Sequence, residues 1–474
     1  MAAPSLLRGT LCVRSNALKA RTLTFALRRL NSTDSTPVTD AVAFPVSPKP
    51  AMTAELEEYI SAAEGRMAFR EPKLMLDTIV PMNSHLLDHA LADHLPPDPK
   101  YEAKKQSRRW VTFQDYGQVP DGHHLVYWPL QAPKSGLMPD GTDPDHFPGG
   151  PFVRRMWAGG SIQYQRGISF PGPQKLIRGW CVETVGKLEL KLGKAPGDEK
   201  VFVEVKRQYG VAPTSALTGM SAENVLARYT PAMTETRKLV FMRERGPVKA
   251  GGEGVAPPAR VVQAPKIPTY SFTLTPDPTL LFQFSALTYN AHAIHLDPDY
   301  ARNQEGYPER LVHGPLLLVL MLTALRRVLD SKQSRHALQT VDYRNLAPLF
   351  VGQPVKVCVR EMDGIPQQWD LWVEGPNGLA VRGTATTLPL TALLKNGPNL
   401  NWAAERRRKN IPFGKRRVME KVKDAEENGK AKEPVAEMKE TEETSKAREP
   451  AVEAKETETR TEQGEKNAGE TSTK

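Results

Sequence analysis

The alternation of apolar and polar positions divides the chain into a patterned middle with polar ends. Over 52–67, Leu56, Tyr59, Ile60 and Ala63 recur at helical spacing and predict a helix, and 74–92 reads as a continuation of that helical region. Shorter stretches rich in β-branched and aromatic residues follow at 122–128, 161–164, 182–190, 200–209 and 239–243, and each predicts a strand. Gly/Pro-rich segments at 129–151 and 246–265 punctuate this region, the second reading as an interdomain linker.

Beyond 265 the pattern sharpens. Residues 270–274 alternate as an edge strand does, and Asp277-Pro278 then offers an N-cap residue with proline at the first helical position. Leu280, Leu281, Phe284 and Leu287 fall on one face of the helix so started. Segment 290–295 reads as an ordered loop, and Asp297-Pro298 as the start of a short helix carrying Asp299 and Tyr300. Gly314-Pro315 opens a third helix over 316–329, apolar around most of its first three turns and therefore buried. Strands predicted at 340–344, 354–361, 369–374 and 380–388 complete an α+β unit, a long buried helix wrapped by an antiparallel sheet.

Composition changes the picture mainly at the ends. Arg8, Arg14, Lys19, Arg21, Arg28 and Arg29 precede the first acidic residue, Asp34, a composition expected of a mitochondrial transit peptide. From Arg406 large apolar side chains become scarce, and a basic run over 406–423 gives way to a mixed-charge repeat, Ala431-Lys432-Glu433-Pro434 recurring as Ala447-Arg448-Glu449-Pro450. Such a segment cannot bury enough apolar area to offset its ordering entropy, so disordered N- and C-terminal tails are expected. The basic run could grip nucleic acid or anionic lipid; without interleaved aromatics, a solvated tail is preferred and no nucleic-acid partner is expected. Much of the net charge of +10 sits in these ends and says little about the middle.

The expected organisation is 1–51 transit peptide and linker, 52–250 a first domain, 251–265 linker, 266–395 a second domain, and 396–474 tail. No run of about 18 apolar residues exists, so no membrane span is expected. Cys12, Cys181 and Cys358 lack close pairing or metal-ligand spacing, which points to a reduced compartment. No metal or cofactor is expected: His292 and His295 lack a third ligand nearby, and the glycines between 251 and 254 lack the strand-to-helix context of a phosphate loop.

The candidate chemistry is concentrated in Phe284 to Asp297 and Tyr307 to Pro315. Two histidines, an amide and a carboxylate lie just upstream of His313-Gly314, the pair that opens the apolar helix. Eliminating water from a 3-hydroxyacyl thioester requires removing the proton next to the carbonyl, stabilising the enolate-like oxygen, and protonating a poor leaving hydroxyl. His295 is the candidate proton-transfer group, because imidazole titrates near working pH. The N–H of Gly314, at a helix N-terminus, is the candidate oxyanion donor, and Asn290 would orient the hydroxyl or water. Asp297 either caps the short helix or supplies a carboxylate, His292 offers support, and His313 either packs under the helix or takes part in the chemistry. Tyr307 and Arg310 are candidate substrate-binding residues. His123 and His124 are expected on a strand or loop surface, and Arg154 and Arg155 at a hinge or against a pantetheine phosphate.

On these residues the second half resembles the MaoC-type hotdog domain. The first half resembles the degenerate repeat of double-hotdog dehydratases through Pro120 to Tyr127 and Arg154 to Ser161. The resemblance extends to the mitochondrial hydroxyacyl-thioester dehydratase type 2 group and its mesaconyl-CoA hydratase-like relatives. It implies a double hotdog, two antiparallel sheets each wrapped around a central helix, with the site in 266–395 and a degenerate repeat in 52–250. It further implies a hydro-lyase of the mitochondrial matrix working in fatty acid synthesis, on acyl thioesters of acyl carrier protein or CoA, as a monomeric pseudo-dimer or a homodimer. Type 2 enoyl-thioester hydratases carry an aspartate where this chain has Asn290, and an asparagine at His292, while their histidine is retained as His295. An amide cannot accept a proton at neutral pH, so a two-residue Asp/His mechanism does not transfer unchanged. Reversible hydration of a CoA ester such as a mesaconyl-type substrate is the nearest variant, and a non-catalytic thioester-binding scaffold is the competing class.

Overall fold

The computed structural model describes residues 51–97, 117–170, 177–244, 264, 267–332 and 335–391. The expected transit peptide, most of the linker and the whole C-terminal tail lie outside them. Helix α1 (Ala54–Ala68), capped by the Thr53 side chain, matches the expectation from spacing. The helical continuation over 74–92 is corrected: strand β1 (Lys73–Asp77) comes first, and helix α2 (Pro81–Leu91) starts at Pro81. Periodicity over so short an apolar run cannot separate strand from helix, and pairing with a neighbouring strand decides it.

Four long strands follow: β2 (Arg154–Tyr164), β3 (Ile177–Lys191), β4 (Lys200–Pro213) and β5 (Met233–Met242). Two short helices, α3 (Thr214–Leu217) and α4 (Ala222–Arg228), link β4 to β5. The strand expected over 122–128 is instead a 3-10 turn, His123–Val126, entered through Gly122 at φ 85°. Its four residues are all buried, which accounts for a continuous apolar run without strand pairing.

The rest of the described chain holds β6 (Tyr270–Leu274), α5 (Pro278–Thr288), α6 (Ala293–Leu296), a single π-helical turn over Tyr300–Gln304, α7 (Gly314–Ser331), β7 (His336–Asn345), β8 (Val355–Glu361), β9 (Gln368–Gly375) and β10 (Gly378–Pro389). The Asp277 carboxylate accepts from Leu280 N–H at 2.8 Å, so α5 begins where its cap predicts.

The ten strands of the described residues form one antiparallel sheet, ordered β1-β3-β4-β5-β2-β7-β10-β9-β8-β6. Read inward from either edge, each half has the same order: first, third, fourth, fifth and second strand of its own set. The chain is thus an internal repeat, and its two five-stranded halves join where β2 pairs with β7, Gly160 opposite Tyr343 and Ile162 opposite Val341. Helix α7 lies in the hollow of the second half against β6, β7, β8 and β9, and reaches across the junction to β2. Leu316 through Leu325 are all buried there, each large apolar side chain contributing roughly 1.5–3 kcal/mol. Among the described residues of the first half, the 3-10 turn at His123–Val126 lies between α2 and β2 in chain order, the interval in which the second half has α7. Residues of both halves, among them Val126, Ile162, Tyr209, Leu318 and Val341, share one apolar core.

Candidate active site

The site is built around a reversal after α5. Tyr289 takes a left-handed conformation (φ 53°) and ends the helix, and Asn290 Oδ1 then accepts the N–H of His292 at 3.1 Å. The loop expected over 290–295 is corrected in its second half, where α6 supplies one helical turn carrying His295. His295 Nδ1 lies 2.8 Å from the carbonyl oxygen of Leu311; a carbonyl only accepts, so Nδ1 carries the proton and Nε2 is left as the basic nitrogen. Leu311 N–H donates in return to Ile294 O at 3.0 Å, fastening the two stretches together. The His295 ring stacks on His313, whose Nε2 is 2.9 Å from Ser285 Oγ. Burial pushes His295 down to about 4, and burial together with the neighbouring histidines holds His313 well below the usual imidazole range. Both rings are neutral at physiological pH.

Gly314 is the first residue of α7, where backbone N–H groups have no partner within the helix and the helix dipole is positive. A Cβ there would stand 2.7 Å from Asn345 Nδ2 and 3.1 Å from Trp157 Cβ. Asn345 Nδ2 in turn donates to Trp157 O at 2.7 Å, so first-half strand β2 and second-half strand β7 together hold the helix start. His295, Asn290, His292 and Gly314 line a single cavity of about 210 Å³. One space is therefore lined both by a residue whose imidazole can take a proton and by the helix-start residue whose N–H could hold a developing oxyanion.

The first half closes that space from the other side. The loop after Met138 rests on the site segment: Asp140 O accepts the N–H of Ala293 at 2.8 Å, and Asp140 Oδ2 is 3.6 Å from His292 Nε2. Gly141 (φ 81°) packs so closely that a Cβ would fall 2.0 Å from Ala291 O. Beyond it stands a row of buried charge. Arg155 meets Asp143 at 2.9 Å, Asp143 meets His146 at 3.1 Å, His146 meets Glu183 at 2.9 Å, and Glu183 meets Arg207 at 2.5 Å. A second group joins Arg237 to Glu235 at 2.8 Å, with the Tyr209 hydroxyl donating to the same carboxylate. Although burial opposes it, Glu183 and Asp143 raise His146 above its ordinary value, and Arg207 and His146 hold the Glu183 carboxyl far below its own.

Other residues singled out from the sequence fall elsewhere. Asp297 Oδ1 accepts from the N–H groups of Asp299 and Tyr300 at 2.8 and 3.1 Å, a capping arrangement, and does not line the cavity. Tyr307 packs against Phe350 and Met156, and Arg310 pairs with Glu309 at 2.8 Å; neither lines the cavity. His313 is fully buried beneath His295. The expectation of surface positions for His123 and His124 is corrected, since both rings are buried, near Asp88 and Glu235 respectively. Arg154 bonds Glu305 across the halves, while Arg155 lines the cavity. Among the described residues, no cluster of three or more His, Cys, Asp or Glu could hold a metal ion, and no helix is long and apolar enough to cross a membrane.

The sequence reading missed His146, Arg207 and Arg237. Its signal was present in the strands: Val201, Val203, Val205, Arg207 and Tyr209 all point inward along β4, so a charged residue interrupts an otherwise apolar inward row. Glu235 does the same in β5 between buried Met233 and Leu239.

Comparison with known proteins agrees with the motifs. Residues 122–351 match the family described as hydroxyacyl-thioester dehydratase type 2. The chain is 27% identical over 276 residues to the mitochondrial hydroxyacyl-thioester dehydratase type 2 of Schizosaccharomyces pombe, covering 56% of this chain and 86% of that one. It is 29% identical over 262 residues to mesaconyl-C(4)-CoA hydratase of Chloroflexus aurantiacus, covering 55% and 80%. Among solved structures, a MaoC-like dehydratase from Phytophthora capsici is 13% identical with a TM-score of 0.46, covering 68% of this chain and 97% of that one.

Proposed function

We propose that this chain, whose residues 122–351 match the hydroxyacyl-thioester dehydratase type 2 family, is a hydro-lyase that interconverts 3-hydroxyacyl and trans-2-enoyl thioesters. One observation carries the reading: His295, whose Nδ1 is held by Leu311 O, and Gly314, the first residue of α7, line one cavity. In the dehydration direction, His295 Nε2 takes the proton from the carbon beside the thioester carbonyl. The enolate-like oxygen accepts from Gly314 N–H at the positive end of α7, and the resulting imidazolium returns the proton to the departing hydroxyl. Asn290 spends its Oδ1 on the His292 N–H, which leaves its amide nitrogen to donate to that hydroxyl. A single histidine serving as base and then acid removes the need for the carboxylate that Asn290 replaces.

The finer reading is a mitochondrial enzyme of the matrix acting in fatty acid synthesis, on acyl groups carried by acyl carrier protein or by CoA. The basic leader and the mitochondrial S. pombe relative support the compartment. Both cavity walls come from one chain, which supports a monomeric pseudo-dimer as the working unit. The test is hydration of one trans-2-enoyl group offered on CoA and on acyl carrier protein to the full chain. Turnover on the carrier protein at least ten times more efficient supports the synthetic role; turnover on CoA alone removes it, and turnover on neither removes the hydro-lyase.

A further inference from the structure

The cavity that holds His295 and Gly314 runs on into the first repeat. Gly314 stands against Trp157 of β2, whose partner in β5 is Leu239, itself opposite Val203 of β4. Leu239 and Val205 line the cavity, and so does Trp128, whose ring lies on that of Tyr209 with centroids 5.0 Å apart. Tyr209 is two strands across from Trp157 and six residues along β4 from Val203, which places it roughly 20 Å along the sheet from the helix start. Trp128 is fully buried, so the cavity is closed where its ring stands. The residue therefore bounds the space at the end away from Gly314.

For folding alone, tryptophan is a poor residue at this position. Its φ of 50° lies in the left-handed region, which glycine takes freely and a bulky side chain resists. Its indole N–H is buried with no hydrogen-bond partner among the described residues, a cost that leucine or phenylalanine would not carry. Two features hold the ring in place. Trp128 N–H donates to the Asp77 carboxylate at 2.9 Å, and Gly179 of β3 lacks the Cβ that would stand 2.7 Å from the ring. Strain of this kind persists where a site uses the side chain. The hollow of the second repeat is filled by α7; among the described residues, that of the first is filled by the 3-10 turn and by rings such as Tyr127, Trp128 and Tyr209. The size of Trp128 thus governs how much of the hollow is left to a ligand, and the cavity that remains, about 210 Å³, is small. Resting on the thioester reading above, we infer that Trp128 determines chain-length specificity: its ring is the stop that the far end of the acyl group meets, and it sets the longest acyl chain the site accepts.

The full chain and its Trp128→Leu and Trp128→Gly variants are given trans-2-enoyl-CoA thioesters of four to sixteen carbons. In the parent, kcat/KM falls about tenfold or more on passing a length limit inside this series, the penalty for a methylene that a packed wall refuses. In the variants the limit moves to longer chains, further for glycine than for leucine. The ratio of kcat/KM for the first chain the parent rejects to that for the longest it accepts rises about tenfold. Glycine suits the backbone at φ 50° and leucine keeps an apolar side chain there, so one variant with an intact thermal transition is enough to read the result. A parent that accepts every length alike overturns the proposal. So does a folded variant whose length profile, scaled for overall activity, matches that of the parent, which would make Trp128 a packing residue only. Should no enoyl thioester turn over, the hydro-lyase reading fails, and calorimetric binding of saturated acyl-CoA thioesters of the same lengths still decides the stop. Affinity that collapses past a limit in the parent and at a longer chain in the variants supports it; identical profiles overturn it.

Discussion

The His295 ring lies on the His313 ring with centroids 3.7 Å apart and planes inclined by 22°. Two imidazolium ions so placed would repel, and burial already holds both rings neutral, His295 down to about 4. The base form therefore persists well below neutrality. The acid limb of kcat/KM for hydration should fall near pH 4 and not near 6.5, with the plateau reaching down to about pH 5. A pH–rate profile checks this; an acid limb at 6.5 would mean a solvated imidazole.

The same depression governs stability. Above pH 6.5 these imidazoles are neutral in both folded and unfolded chain; below it the unfolded chain binds protons that the folded one refuses. His123, pushed down to about 3, and His292, well below its ordinary value, act in the same direction, burial being the main cause in each. Stability should decline as pH falls from about 6.5 toward 4, each group contributing up to about 1.4 kcal/mol per pH unit. Urea midpoints measured across that interval test the slope.

Gly314→Ala places a methyl 2.7 Å from Asn345 Nδ2 and 3.1 Å from Trp157 Cβ, against groups fixed by their mutual hydrogen bond. The start of α7 must shift, and its N–H with it. Loss of about 10²- to 10³-fold in kcat is expected, as for a displaced oxyanion donor, with a stability cost of roughly 1–3 kcal/mol. Steady-state kinetics with a parallel thermal melt check both.

Gly141→Ala acts from the other half of the molecule. Its Cβ would meet Ala291 O at 2.0 Å, and φ 81° is a strained setting for alanine. The loop must lift from the segment carrying Asn290 and His292, so kcat should drop about tenfold or more although residue 141 belongs to the first repeat. Full activity would show that the two halves are not coupled at this contact.

Arg154 Nε donates to Glu305 Oε2 at 2.7 Å in a buried pair that joins the repeats. Arg154→Met leaves that carboxylate without its cation and should destabilise by about 3–5 kcal/mol, while Arg154→Met with Glu305→Leu should recover much of the loss. Chemical denaturation of the three variants and the parent completes the cycle.

The second repeat was legible because its signals are local. The Asp277 cap, the Gly314-Pro315 start and the apolar turns that follow lie within a few residues of the elements they specify, and Asp297 caps as its position beside Pro298 suggests. The first repeat was less so. Among the described residues between α2 and β2 there are only 3-10 turns and no counterpart of α7, and the cavity wall combines His146 from a loop with Arg207 and Arg237 from two strands. Only sheet register brings these together, β4 against β5 with Arg207 opposite Glu235, and no spacing in the chain reports it. Tyr307 and Arg310, though near Gly314 in sequence, turn toward Phe350 and Glu309, and there the chain reaches the cavity only from Leu311 and Val312 onward.

The central claim is that His295 moves the proton in a water elimination. Purified full-length chain and its His295→Ala variant are compared for hydration of a trans-2-enoyl thioester, with a thermal melt of each. The account predicts turnover by the parent, a loss of at least about 10³-fold in kcat in the variant, and transitions that coincide within a few degrees. Turnover retained by a folded His295→Ala chain, or a parent that binds the thioester and never hydrates it at any pH, would contradict it.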